Sequence, residues 1–114
     1  DNLSVVVLRC VDILYVYFNA NLKAQKIILS NEFSTSMETD KFNELSITIQ
    51  TFVDTNIKLP EMFNKDGVYR VFTQIIISIF SLNAKENNSI DEVGKIEAHR
   101  AGHAYLSDWV NHSS

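Results

Sequence analysis

Polar residues are scarce and regularly placed in the first quarter of the chain. In LSVVVLRCVDILYVYFNANLK they include Arg9, Asp12, Asn19 and Lys23, separated by three, seven and four positions, with nearly everything between them apolar. Those steps trace one stripe on a 3.6-residue helix, which predicts a helix from residue 3 to about 26 buried around most of its circumference. Val5, Val6, Val7, Val11 and Val16 would also suit strands; the stripe decides for helix. The next stretch, SNEFSTSMETD, is rich in side chains that compete for backbone hydrogen bonds, so it predicts a loop or a short helix. Asp40 is placed to cap the following helix. There Phe42, Leu45, Ile49 and Phe52 repeat at three and four, giving an amphipathic helix to about residue 55. Pro60 predicts a short helical turn through Glu61, Met62 and Phe63, and NKDG at 64–67 reads as a turn.

The run VYRVFTQIIISIFSL resembles a strand until its polar residues are mapped. Arg70, Thr73, Gln74, Ser78 and Ser81 again form a helical stripe, so this segment predicts a helix in the middle of a bundle with a narrow wet face. AKENNS reads as a loop, and Ser89 with Glu92 has the Ser-x-x-Glu spacing that starts a last helix, running to about residue 111. On that helix Glu92, Ile96, His99, His103, Leu106 and Val110 form one seam. Gly94, Ala98, Ala101, Tyr105 and Trp109 form another, so the helix is expected to pack on two sides. Three glycines and one proline in 114 residues are too few for the turns of an all-β fold. The expectation is an all-α single domain spanning 1–114, a bundle of four main helices plus one or two short helical turns.

Composition narrows the function classes. A hydrophobic fraction of 46% supports one core, and the formal net charge of -4 with dispersed lysines and arginines offers no basic stripe for a phosphate backbone. Nucleic acid is therefore not expected as a partner. Cys10 is the sole cysteine and sits in an apolar run, where a buried small hydrophobe is the better reading than a reactive thiol. Arg9 and Asp12 interrupt the N-terminal apolar run before it reaches the roughly 18 residues a membrane span needs. No signal-peptide cleavage pattern follows it. A cytoplasmic protein with no membrane partner is expected.

The most chemical-looking stretch is EAHRAGHAYLSDW, 97–109, with His99 and His103 one helical turn apart. Histidines at i and i+4 can share a metal ion, but Ile96 stands where a carboxylate one turn earlier would help. A third ligand would have to come from elsewhere, with Asp12, Glu38, Asp40, Glu44 and Glu61 as candidates. Packing histidines are the plainer reading. AHRAG invites comparison with histidine phosphotransfer bundles, whose motif has Lys and Gly three and four positions after the histidine. Arg100, Ala101, Gly102 and His103 do not reproduce it. A buried seam histidine could also sense pH by disturbing packing when charged. Phosphate-binding loops, nucleophile elbows and Cys-x-x-Cys pairs are absent from the sequence. Among the aromatic residues, Tyr15, Phe72, Phe80, Tyr105 and Trp109 are the candidates for lining an apolar ligand pocket.

By elimination, the leading expectation is a non-enzymatic module that binds a protein partner, as a small inhibitor, immunity-type or regulatory factor, without a cofactor. The second is a sensor-like domain holding a small apolar ligand, a lipid or fatty acid, inside the helical core. A metal site at His99 and His103 is third. Homo-oligomerisation is compatible with each.

Overall fold

The structure, a computed structural model, describes residues 2–29 and 39–112. Among them are five helices and no strand, built around one hydrophobic core. Helix α1, Leu3–Ala20, begins at Asn2, whose side chain accepts a hydrogen bond from the Val5 amide at 2.9 Å. Arg9, Asp12 and Asn19 are exposed as their spacing predicts, and Val6, Val7, Cys10, Val11, Leu14 and Phe18 are fully buried, but Val5, Leu8 and Val16 are exposed too, so one face of the helix meets the core and not most of its circumference as expected.

The expected continuous helix to residue 26 is two helices. Asn21 adopts an extended conformation (φ -126°, ψ 111°) that ends α1. Its Oδ1 then accepts the Ala24 amide at 3.1 Å and caps α2, Leu22–Leu29. An asparagine side chain that competes for backbone N–H groups outweighs the apolar periodicity here. The segment 30–38, expected as loop or short helix, lies outside the described residues, as does Glu38.

Helix α3, Thr39–Asn56, contains Asp40 in its first turn and not at its cap. Leu45, Ile49 and Val53 are its buried ridge, with Phe42 and Phe52 packed at the core's edge. The expected helical turn after Pro60 does not form. Residues 57–62 are irregular, and Ile57, Leu59 and Met62 reach the core from a chain without helical hydrogen bonding. NKDG is only half a turn: Asn64 takes a left-handed conformation (φ 56°) and α4, Lys65–Asn87, starts immediately after it. AKENNS likewise continues the helix to Asn87, and Asn88 (φ 65°) supplies the left-handed residue that ends it.

Helix α5, Glu92–His112, is capped by Asp91 and not by Ser89. The Asp91 carboxylate accepts the Gly94 amide at 3.2 Å and the Asn83 side-chain amide at 2.9 Å; the Asp91 amide in turn donates to Asn83 Oδ1 at 2.8 Å. Asn83 is buried, so this corner ties the end of α4 to the start of α5. The buried row of α5 is Gly94, Ala98, Gly102 and Leu106, at steps of four. Ile96, expected in a buried seam, is 55% exposed. The small row wins because α4 and α1 lie close. A methyl group added at Gly102 would sit 3.0 Å from Phe72 and 3.5 Å from Val7.

Helix α1 packs against α5, α2 and α3, while α4 packs against α5, α3 and α2. Thus α1, α5, α4 and α3 follow one another around the bundle, with α1 diagonal to α4, and α2 bridges α1 and α4. Ser81 of α4 donates to the Ile28 carbonyl at 2.8 Å and fixes that bridge. By length and composition, α1 and α4 are each apolar enough to cross a membrane; in the bundle their buried faces supply most of the core.

Candidate functional site

The helix that departs most from its expected pattern is α4. Two members of its polar stripe, Thr73 and Ser81, are buried, whereas Val71 is 46% and Leu82 60% exposed. The stripe is split because α4 is covered on more than one side, by α5, α3 and α2, and those contacts take in Thr73 and Ser81. The row of Val71, Ile75, Ile79 and Leu82, at helical steps of four, four and three, is exposed at its two ends and half-buried at Ile75 and Ile79, with Arg70, Gln74 and Ser78 beside it. Gln74 donates to the Ser78 hydroxyl at 2.8 Å, so these two polar groups satisfy each other on the surface.

Between this ridge and Phe42 on α3 lies an open groove of about 550 Å³, lined by Phe42, Arg70, Val71, Gln74, Ile75, Ser78 and Ile79. Arg70 is the only charged residue in that lining. It also borders a second hollow of about 210 Å³ toward α3, whose walls include Ile47, Gln50 and Asp66. Ile47 is 60% exposed there. The two hollows meet at Arg70, and exposed apolar side chains stand at Ile47 on α3 and at Val71 and Leu82 on α4. Exposed apolar side chains around a groove are found at interaction surfaces.

His99 and His103 are half-buried on α5, their rings stacked with centroids 6.0 Å apart. Each is engaged locally. His99 Nε2 lies 2.9 Å from the Ser4 carbonyl and 3.3 Å from its hydroxyl, and His103 Nε2 lies 3.2 Å from the Ser107 hydroxyl. Among the described residues no group of three or more His, Cys, Asp or Glu side chains is arranged to hold a metal ion. Asp12, Asp40, Glu44 and Glu61 are exposed and complete no such set. His99 thus fastens α5 to the first turn of α1, whereas His103 pairs within its own helix.

The five aromatic candidates are dispersed. Phe72 and Phe80 are fully buried in the core, with Phe72 edge-on to Tyr69 at a centroid distance of 6.3 Å. Tyr15, Tyr105 and Trp109 are half-buried at the periphery. Lys95 Nζ lies 4.2 Å from the centre of the Tyr15 ring, and hydrogen bonding to Glu92 holds its ammonium above the ordinary lysine range. None of the five lines the α4 groove or the smaller pocket of about 130 Å³ formed by Phe18, Gln25, Ile28 and Ile90 with their neighbours.

Two buried groups remain chemically quiet. Burial pushes the Cys10 thiol up to about 12, so no thiolate forms near neutrality. Tyr69 is also raised, first by burial and then by the Asp54 and Cys10 charges. Among the described residues, the Tyr69 and Thr73 hydroxyls, both inside the core, have no hydrogen-bond partner. No known protein family, curated protein or solved structure matches this chain.

Proposed function

We propose that this chain is a non-enzymatic protein-binding module acting through the outer side of α4. The observation that carries the reading is the apolar row of Val71, Ile75, Ile79 and Leu82, exposed at Val71 and Leu82, beside an open groove walled by Phe42. An open, mostly apolar surface of this kind suits contact with another protein. Burial keeps the Cys10 thiol neutral and both α5 histidines are hydrogen-bonded within the bundle, so the reading as a regulatory or inhibitory factor rests on the α4 surface alone.

A photoreactive side chain placed at position 75 tests this in the cells that make the protein. The expected result is one discrete adduct that disappears when Leu82→Glu is added, with none formed from a probe at position 97 on exposed α5 surface. Equal labelling from both positions, or no adduct at 75, overturns the reading.

A further inference from the structure

We infer that the crevice where the end of α1, α2 and the α4–α5 corner meet binds a small uncharged molecule, a single ring bearing one hydroxyl or amide group. The site shares no lining residue with the α4 groove and stands or falls apart from it. Two asparagines create it by interrupting the helices. The extended Asn21 ends α1 and lets α2 turn away, and the left-handed Asn88 ends α4 ahead of α5. Between those breaks lies a crevice of about 130 Å³. Its apolar lining, Phe18, Ile28, Ala84 and Ile90, is buried. Its polar lining marks the mouth, with Asn19, Asn88 and Ser89 exposed and Gln25 half-buried.

Hydrogen bonds within the chain already brace the walls. Gln25 Nε2 donates to the Asn19 carbonyl at 2.6 Å, and the Ser81 hydroxyl donates to the Ile28 carbonyl at 2.8 Å. The Asp91 amide, next to Ile90, donates to Asn83 Oδ1. A site fixed in advance loses little on ordering around a guest. The volume sets the size of that guest. A cavity of about 150 Å³ with aliphatic and aromatic walls stays dry and admits benzene, whereas drug-sized ligands fill roughly 300 Å³ or more. An acyl chain would leave most of its length outside. The lining also decides the charge. Among the described residues no Asp, Glu, Lys, Arg or His borders the crevice, so an ionised guest would give up hydration without a counter-charge. The amides and hydroxyl at the mouth can instead donate to and accept from one uncharged polar group.

The test titrates the intact chain with phenol and with benzoate, the same ring carrying a charge, and follows the methyl resonances of Ile28, Ala84 and Ile90. Phenol should shift all three saturably, with a Kd on the order of 1 mM for so few atoms. Benzoate at the same concentration should leave them in place. Ala84→Leu fills the crevice and should weaken phenol binding at least about tenfold. Ile90→Phe takes its place if melts show that Ala84→Leu does not fold. Shifts that do not saturate, or that spread evenly over the surface, overturn the site. Equal binding of benzoate overturns the uncharged assignment, and undiminished phenol binding by a folded filling variant overturns the location.

Discussion

Thr73 and Tyr69 are the residues where the core is least settled. Each buries a hydroxyl with no partner, and an unsatisfied buried polar group costs on the order of 1–3 kcal/mol. Thr73→Val keeps the shape and removes the hydroxyl, so it should raise stability by about 1 kcal/mol in denaturant unfolding. A loss of that size would mean that the hydroxyl is satisfied in solution. The alkaline limb of stability belongs to the same neighbourhood. Cys10 and Tyr69 must stay neutral in the folded core while the unfolded chain lets them ionise, so the folded pKa values lie above the unfolded ones. Their stabilising contribution is complete below about pH 8 and declines once the pH passes the unfolded thiol and phenol values, about 8.5 and 10. Unfolding free energy should therefore fall between about pH 8.5 and 12, and Cys10→Ala with Tyr69→Phe should flatten that decline. The native thiol should also resist alkylation at neutral pH until the protein unfolds.

At the scale of elements, stability concentrates where side chains cap helices. Asn21 terminates α1 and caps α2, so Asn21→Ala should cost about 1 kcal/mol. The corner of Asn83, Asp91 and Gly94 has a pH signature. The Asn83 amide, ahead of the Gly94 amide, holds the Asp91 carboxyl below its ordinary value. Its contribution is thus present above pH 4 and lost as pH falls through the lower folded value, and Asp91→Asn should remove that part of the acid dependence. These caps also explain what could be read from sequence. The exposed stripe of Arg9, Asp12 and Asn19 and the ridge of Leu45 and Ile49 followed from local periodicity alone. The break at Asn21 turned on one side chain's choice between solvent and backbone. The Asp91 cap turned on Asn83, eight residues back in another helix, where Ser89 and Glu92 offered a good local imitation. The row of Gly94, Ala98 and Gly102 was invisible to a search for large apolar residues, because its role is to leave room for Phe72 and Val7. The α4 groove was half legible: its excess of apolar residues could be counted, but which of them α2, α3 and α5 leave uncovered depends on the assembled bundle.

At the scale of the whole molecule, charges of both signs are interspersed: on α4 Arg70 and Lys85 stand beside Asp66 and Glu86, within a formal net charge of -4. Gly102 lies against Val7 across the α1–α5 contact, and His99 reaches Ser4, so the most apolar helix is closed by the last one. During synthesis, about 90 residues must follow α1 out of the ribosome before that partner exists, a delay on the order of 5–20 s at ordinary elongation rates. Throughout that interval Val6, Val7, Cys10 and Val11 have only earlier-made helices, or a chaperone, to shelter them. The chain's exposure to misassembly is thus set by the order of translation, with its greasiest segment made early and sealed late.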